Sequence, residues 1–480
     1  MISFILSLLA LFVGYIVYGR IIERIFGPDD RSTPALSKAD GVDYVALPGW
    51  KVFMIQFLNI AGTGPIFGAI MGAKFGPASY LWIVFGCIFA GAVHDYLCGM
   101  LSMRHGGASL PELVGVYLGT SARKVLLIFS LIVLLMVGTV FVYSPALILG
   151  KMTMEGASGV MMWVGIIFIY YVFATMLPVD KIIGKIYPLF AFSLLFMAVA
   201  LMVVLFMKWP ALPEVWKMGE VENLAKQPLF PCLFITIACG AVSGFHATQS
   251  PLMARCLTSE RKGRPVFYGA MVTEGVVALI WAAVSSWFFY QGGAAEVGSS
   301  LKAQAPEVVT LVSESWLGMV GGVLAILGVV AAPITSGDTA FRSARLIVAD
   351  ALRFDQHPIR NRLFICLPIF AAAMLLLWFN IADEDGFNVI WNYFGWSNQT
   401  LACFMLWTAT IYLARNRKNF YLTLVPALFM TVVCTTFFCI SKISLGLPPV
   451  VSYAAGAVAF VVTLAAFIVW HHKALPKDLS

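Results

Sequence analysis

Across 480 residues the chain is 60% hydrophobic and only 11% charged, with a mean hydropathy of +0.89. Soluble domains average about 25% charged residues, so a water-soluble fold of this length is excluded. The formal net charge of +7 comes from basic residues scattered between apolar runs, which argues against a nucleic-acid partner and makes the lipid bilayer the expected surroundings.

A membrane-spanning helix needs about 20 apolar residues, and thirteen such stretches can be read. They fall near 2–19, 52–75, 78–102, 125–149, 158–177, 186–207, 229–254, 266–290, 315–341, 363–380, 388–413, 419–440 and 448–470. Helices are the expected form, because lipid offers backbone groups no outside partner. The first stretch runs into Tyr18, Arg20, Glu23 and Arg24 with no small-residue cleavage site, so a retained helix is expected rather than a removed signal peptide. Threading from an outside N-terminus to an inside C-terminus places 24 of the 31 Lys and Arg, including Lys181 and Lys477, on the cytoplasmic side. That is the side where basic residues gather.

The second stretch contains Gln56-Phe-Leu-Asn59-Ile-Ala-Gly62-Thr63-Gly64-Pro65. The glycines relax the backbone and Pro65 cannot continue the hydrogen-bond ladder, yet proline suits the first turn of a new helix. Two half-helices are expected, unwound near 61–65. Gly64, Gly68, Gly72 and Gly76 then recur every four residues, giving the second half one smooth face for close packing. Ser109-Leu-Pro111-Glu112 suggests a short amphipathic cytoplasmic connection. The seventh stretch repeats the interruption in Gly240-Ala-Val-Ser243-Gly244-Phe-His246-Ala-Thr248-Gln249-Ser250-Pro251, with the break expected at 243–251. The charge count gives these two stretches opposite directions, so five spans over 52–208 are followed by five inverted spans over 229–413. Interrupted helices at matching places in two halves point to a transporter's binding site. The alternative is that Gly and Pro are simply common in membrane helices.

Of the cysteines, Cys87, Cys98, Cys232, Cys239 and Cys256 sit singly in or beside apolar runs, and no metal-ligand spacing occurs. They read as small packing residues. Trp50, Trp82, Trp209, Trp216 and Trp316 lie near span ends and read as interfacial anchors. Asp383-Glu384-Asp385 reads as a solvated outside turn.

Six ordered segments resemble the carbon starvation protein A family. They are Asp40-Gly-Val-Asp43-Tyr-Val, Ala61-Gly-Thr-Gly-Pro65, Ala90-Gly-Ala-Val-His-Asp95, Ser243-Gly-Phe-His246-Ala, Asp338-Thr-Ala-Phe-Arg342-Ser-Ala-Arg345 and Trp396-Ser-Asn398-Gln399-Thr-Leu-Ala402. The resemblance reaches to about residue 402 and is to a short member; Thr63 stands where the family more often has Ala, and His94 where it has Gln. It implies a bacterial inner-membrane transporter of the amino acid–polyamine–organocation superfamily, linked to peptide uptake in starvation and, in some members, to proton-coupled pyruvate uptake. It also implies a LeuT-like core. The fold expected is therefore an all-α polytopic membrane protein, residues 1–480 forming one transmembrane domain. It has a five-plus-five inverted-repeat core, one extra N-terminal helix (2–25) and two extra C-terminal helices (419–470).

Ionisable groups inside spans are costly and face a cavity or a partner. His246, in the seventh-span break, suits carboxylate binding or proton relay, or is a hydrogen-bonded packing histidine. Gly62, Thr63, Gly64, Pro65, Ser243 and Gly244 are the other candidate substrate-binding positions at the breaks. Asn398 and Gln399 suit hydrogen bonding to substrate, or between helices. Asp95 carries a coupled ion or partners basic loop residues. In a LeuT-like core, Thr335, Ser336, Asp338 and Thr339 would face the first core helix and form an oxygen-rich Na⁺ site. Alternatively Asp338 carries the proton, or pairs with Arg342 one turn on. Glu274 is a proton carrier or a buried structural acid. No catalytic motif is found, which disfavours a membrane enzyme, and no appended domain suggests a sensor or channel. The expectation is a secondary transporter for pyruvate, a related small carboxylate or short peptides, with H⁺ or Na⁺ as coupling ion, no other cofactor and no bound metal beyond Na⁺.

Overall fold

The computed structural model describes residues 1–153, 157–176, 183–356, 358–382 and 386–474. Lys181, Lys477 and the acidic turn at 383–385 lie outside the described residues. The rest is helical, apart from loops and one isolated bridge between Leu47 and Leu257.

Helix α1 spans Ile2–Phe26 and ends where Gly27 turns left-handed (φ 70°) and its N–H returns to the Glu23 carbonyl. The second stretch is two helices, α2 (Gly49–Ala61) and α3 (Gly64–Ala73), bent by 51°. The third is α4 (Ala78–Arg104), which carries a wide π-type turn at Cys87–Gly91. The short connection is α5 (Leu110–Leu118), opened by a capping box between Ser109 and Glu112. Then come α6 (Thr120–Thr153), α7 (Ala157–Met176) and α8 (Ile183–Lys208). The seventh stretch gives α9 (Leu229–Thr236) and α10 (His246–Ala254), separated by an unwound segment at 237–245. They are followed by α11 (Gly269–Tyr290), α12 (Ala305–Leu352), α13 (Ile359–Ala382), α14 (Gly386–Arg415), α15 (Tyr421–Ile440) and α16 (Pro449–Ala474). Helix α12 extends beyond its predicted ends and is kinked at Gly318, where φ is 65°.

Among the described residues nine helices are long and apolar enough to cross a membrane, and the bent α2–α3 pair makes a tenth span. The other predicted spans correspond to the divided α9–α10 and to parts of α12 and α14. Side chains such as Phe12, Phe173, Leu189, Trp378 and Val450 are exposed on the outside of the bundle. In water such a belt would aggregate; lipid covers it. The protein is a multi-pass membrane protein. Helices α15 and α16 pack on each other and, through α15, on α14; α1 packs against α4 and α11.

Two expectations need correction. The second break lies at 237–245, not at 243–251. Pro251 sits inside α10 without breaking it, and the Ala247 carbonyl one turn back, which proline cannot serve, faces the Cys98 thiol at 3.5 Å. Trp50, Trp209 and Trp216 are exposed as anchors should be, but Trp82 and Trp316 are buried. Trp82 donates its indole N–H to the Ile237 carbonyl (2.8 Å), and Trp316 packs on Trp287. Trp82 is drawn inward because the unwound segment offers its indole an acceptor, and Trp316 because it packs in the apolar interior on a second indole.

The glycine face of α3 does what its spacing predicts. A Cβ on Gly64 would overlap Cys239, on Gly68 it would lie 2.9 Å from the Thr236 carbonyl, and on Gly72 it would overlap Ile237. The end of α9 and its unwound continuation rest directly on that face. Gly91, closing the π turn of α4, supports the same segment from another side, and a Cβ there would overlap the Ala241 carbonyl. Gly91→Ala therefore presses carbon against backbone that cannot rotate away. The expected cost is about 1–3 kcal/mol, read as a lowered melting temperature of the purified protein; an unchanged value would mean the segment yields freely.

Candidate functional site

The two interruptions meet at the buried centre of the molecule. Helix α2 stops because Gly62 takes φ 47°, and a Cβ there would lie 2.7 Å from the Phe141 ring. Thr63 follows, and Pro65 opens α3. The second segment turns at Gly240 (φ 89°), whose missing Cβ would come within 3.8 Å of Pro65. Gly64 and Pro65 thus face Cys239–Gly240, Gly62 faces Phe141, Thr63 lies between them in the chain, and Ser243 and Gly244 lie on the side toward α14. The Asn398 Oδ1 accepts from the Phe245 N–H (2.6 Å) and the Ser243 hydroxyl (3.2 Å), and its backbone carbonyl accepts from the Gly244 N–H (3.2 Å). The Gln399 Nε2 donates to the Phe234 carbonyl (2.7 Å). Asn398 is therefore tied to the second break and Gln399 to the helix that leads into it. Their other ends, Asn398 Nδ2 and Gln399 Oε1, bond no protein group among the described residues, and neither do Thr63 Oγ1 or either amide atom of Asn59.

Beside the breaks runs a continuous chain of buried ionisable groups from three helices. His94 Nδ1 lies 2.7 Å from Asp95 Oδ1, and Asp95 Oδ2 lies 2.8 Å from His246 Nδ1. His246 Nε2 lies 3.3 Å from Glu274 Oε2, and none of the three pairs has solvent-exposed side chains. The alternative in which Asp95 partners basic loop residues is not what forms; its carboxylate lies between two imidazoles. Each uncompensated buried ion costs several kcal/mol, so these groups must share protons and charge. A proton entering at either end can be relayed through an imidazole that is hydrogen-bonded to one acid and lies 3.3 Å from another. Cys239 joins the same centre, with its sulfur and a ligand atom each of His246 and Glu274 mutually within 4.8 Å.

The α12 residues do not converge in the same way. Ser336 Oγ donates to the Leu58 carbonyl of α2 (3.1 Å), on the first broken span. Thr335 and Thr339 donate to carbonyls of their own helix. Asp338 faces α8, with its Oδ2 2.5 Å from the Tyr187 hydroxyl. Arg342 reaches instead to Asp43 (3.3 Å) and the Ala174 carbonyl (2.7 Å), and Arg345 holds Asp43 at 2.9 and 3.0 Å. Burial alone would raise the Asp43 carboxyl, but the guanidinium groups of Arg345 and then Arg342 hold it below the usual carboxylate range.

These pairs close the arginine-rich end of the bundle, together with Arg255–Asp350 (3.1 Å) and the Gln56–Ser250 hydrogen bond (3.1 Å) that joins α2 to α10. At the opposite end a cavity of 680 Å³ descends between Lys226 and Lys442 to Phe67, Trp391 and Thr236, where α9 ends. The centre is thus approached from one side and sealed from the other.

Sequence reading missed Cys239, Asn59 and Trp82 as members of this centre, and Tyr187 as the partner of Asp338. Asn59 carried a local signal, a polar residue one turn before a Gly-Thr-Gly-Pro break. Tyr187 carried none.

The family described as carbon starvation protein CstA matches residues 1–161, 151–319 and 308–437. An uncharacterised membrane protein of Haemophilus influenzae is 46% identical over 60% of this chain and 91% of its own length. A protein named peptide transporter CstA from Bacillus subtilis is 28% identical over 89% of this chain and 88% of its own. The pyruvate/proton symporter BtsT of Escherichia coli is 30% identical over 52% of this chain and 43% of its own. Among solved structures, MhsT in complex with L-phenylalanine superposes with a TM-score of 0.57 at 11% identity, covering 85% of this chain and 97% of MhsT. That likeness shows the fold, a LeuT-like helical core.

Proposed function

The chain belongs to the carbon starvation protein CstA family and is a membrane transporter, and from that premise we propose that it is a proton-coupled secondary carrier of the bacterial inner membrane. It imports pyruvate or a related small carboxylate. The repeats 52–208 and 229–413 form its two inverted units, with α1 and α15–α16 outside them, and the coupling ion is its only cofactor.

The observation that carries this reading is the buried His94–Asp95–His246–Glu274 chain beside two facing helix breaks. A carboxylate suits the N-terminus of α3, where the positive end of the helix dipole and the unpartnered hydroxyl of Thr63 meet an anion without a buried counter-charge. The N-terminus of α10, with His246, begins where the second break ends. A proton is favoured over Na⁺ because the Thr335 and Thr339 hydroxyls are turned to their own helix, whereas the ionisable groups are linked end to end. Asp338, against Tyr187, is the second acid placed to take a proton. Short peptides are the second reading; the 680 Å³ approach cavity is far larger than a three-carbon acid needs, and the relative from Bacillus subtilis is named a peptide transporter.

Purified protein in liposomes should accumulate labelled pyruvate under an inward proton gradient and not under an Na⁺ gradient alone. Accumulation of a dipeptide in place of pyruvate would select the second reading. Uptake that ignores both gradients, or none of either substrate, would overturn the carrier proposed here.

A further inference from the structure

The same centre holds a donor that proton relay does not require, Cys239, beside two groups that relay uses. Cys239 arrives from the unwound segment, His246 from the first turn of α10 and Glu274 from α11, and one ligand atom of each lies within 4.8 Å of the other two. All three side chains are fully or almost fully buried. His246 Nε2 and both Glu274 carboxylate oxygens lie near one another without a well-aligned hydrogen bond, and the Cys239 thiol contacts the Ser243 hydroxyl at 3.4 Å. The imidazole is oriented for ligation: its Nδ1 is held by Asp95 at 2.8 Å, and Nε2 is left facing the trio. A carboxylate behind a histidine is the usual support of a metal-bound imidazole.

We propose that Cys239, His246 and Glu274 form a site for one Zn²⁺-class cation, and that the bound ion holds the second break in place and stops the transport cycle. Thiolate, imidazole and carboxylate together suit zinc, whereas Mg²⁺ and Ca²⁺ take oxygen donors. Ligand atoms around a tetrahedral zinc lie about 3.3–3.8 Å apart. The His246–Glu274 separation of 3.3 Å already meets that spacing, and the sulfur has at most about an ångström to travel. Binding displaces the thiol proton. Entry is from the open cavity, which reaches Thr236 at the end of α9, three residues before Cys239.

The site itself rests on geometry alone; the arrest of transport rests on the carrier reading above, and two measurements separate them. Co²⁺ added to purified protein should give a thiolate-to-cobalt charge-transfer band at one ion per chain, displaced by Zn²⁺. Cys239→Ser should lose the band and weaken Zn²⁺ binding by at least about tenfold, with the melting temperature without metal showing that the variant folds. Cobalt binding without the band, or unchanged zinc affinity in Cys239→Ser, overturns the site. In proteoliposomes, external Zn²⁺ should inhibit wild-type uptake, and the ratio of uptake with and without Zn²⁺ should return toward one in Cys239→Ser. Proton-driven uptake that continues with the site saturated overturns the arrest while leaving the carrier reading intact. Zinc binding in a protein that shows no gradient-driven uptake would instead support the site and overturn the carrier reading.

Discussion

His246→Ala is expected to abolish gradient-driven uptake and to lower the melting temperature more than any other single change in the centre. His246 lies between two acids, 2.8 Å from Asp95 and 3.3 Å from Glu274. Without it both carboxyl groups lose their shared partner in a site that water does not reach. Breaking a buried ionic contact by removing one side costs about 3–5 kcal/mol, a large part of a total stability of about 5–15 kcal/mol. His246→Asn is the sharper companion, because its short amide occupies the place of Nδ1. It keeps an amide N–H for Asp95 but cannot accept a proton at neutral pH. It should fold, exchange substrate across the membrane, and fail to concentrate it when a pH gradient is imposed. Wild-type accumulation by His246→Asn would remove this residue from coupling.

The second large effect is expected at Asp43→Asn. Asp43 lies at the sealed end, in the loop before α2, against the buried guanidinium groups of Arg342 and Arg345 on α12. The asparagine has nearly the same shape, so the loss is electrostatic: two buried cations face each other with their shared anion removed. The expected cost is again about 3–5 kcal/mol, and it falls on the arrangement that closes that end. The variant should melt earlier and retain less accumulated substrate. The pH dependence has a definite sign. Because folding lowers the Asp43 carboxyl below its ordinary value, its contribution is present above about pH 3.9 and is lost as pH falls through the folded-state value. The melting-temperature gap between wild type and Asp43→Asn should therefore be constant near neutrality and shrink in strong acid. A gap independent of pH throughout would argue that shape, not charge, is what the asparagine disturbs.

The sequence made some of this legible, and the limits have physical reasons. Gly62-Thr63-Gly64-Pro65 announced the first break because backbone freedom and a missing N–H act within a few residues. The second break was misplaced by the same logic. Pro251 looked like its end, but the adjacent Cys98 thiol and surrounding protein let a helix run through it, and the turn is set by Gly240. His246, Asp95 and Glu274 were each recognisable as ionisable residues in apolar runs. Their assembly was not, since they come from helices far apart in the chain and nothing local encodes which faces meet. Asp338 and Arg342 were read as possible partners because they lie one turn apart. Tyr187 and Asp43, distant in sequence, compete with that pairing. Cys239 has no metal spacing along the chain, because here three separate segments supply the donors.

The contact between Gly64 and Cys239 has a practical consequence for following the cycle. A thiol wedged against a glycine of the facing helix is shielded from alkylating reagents for as long as the two breaks stay together. Its labelling rate therefore counts the moments at which they part. Subtracting the signal of Cys239→Ser from that of wild type isolates this sulfur from the other eight buried cysteines. The protein thus contains its own clock for alternating access, with no introduced probe and no need to know the substrate.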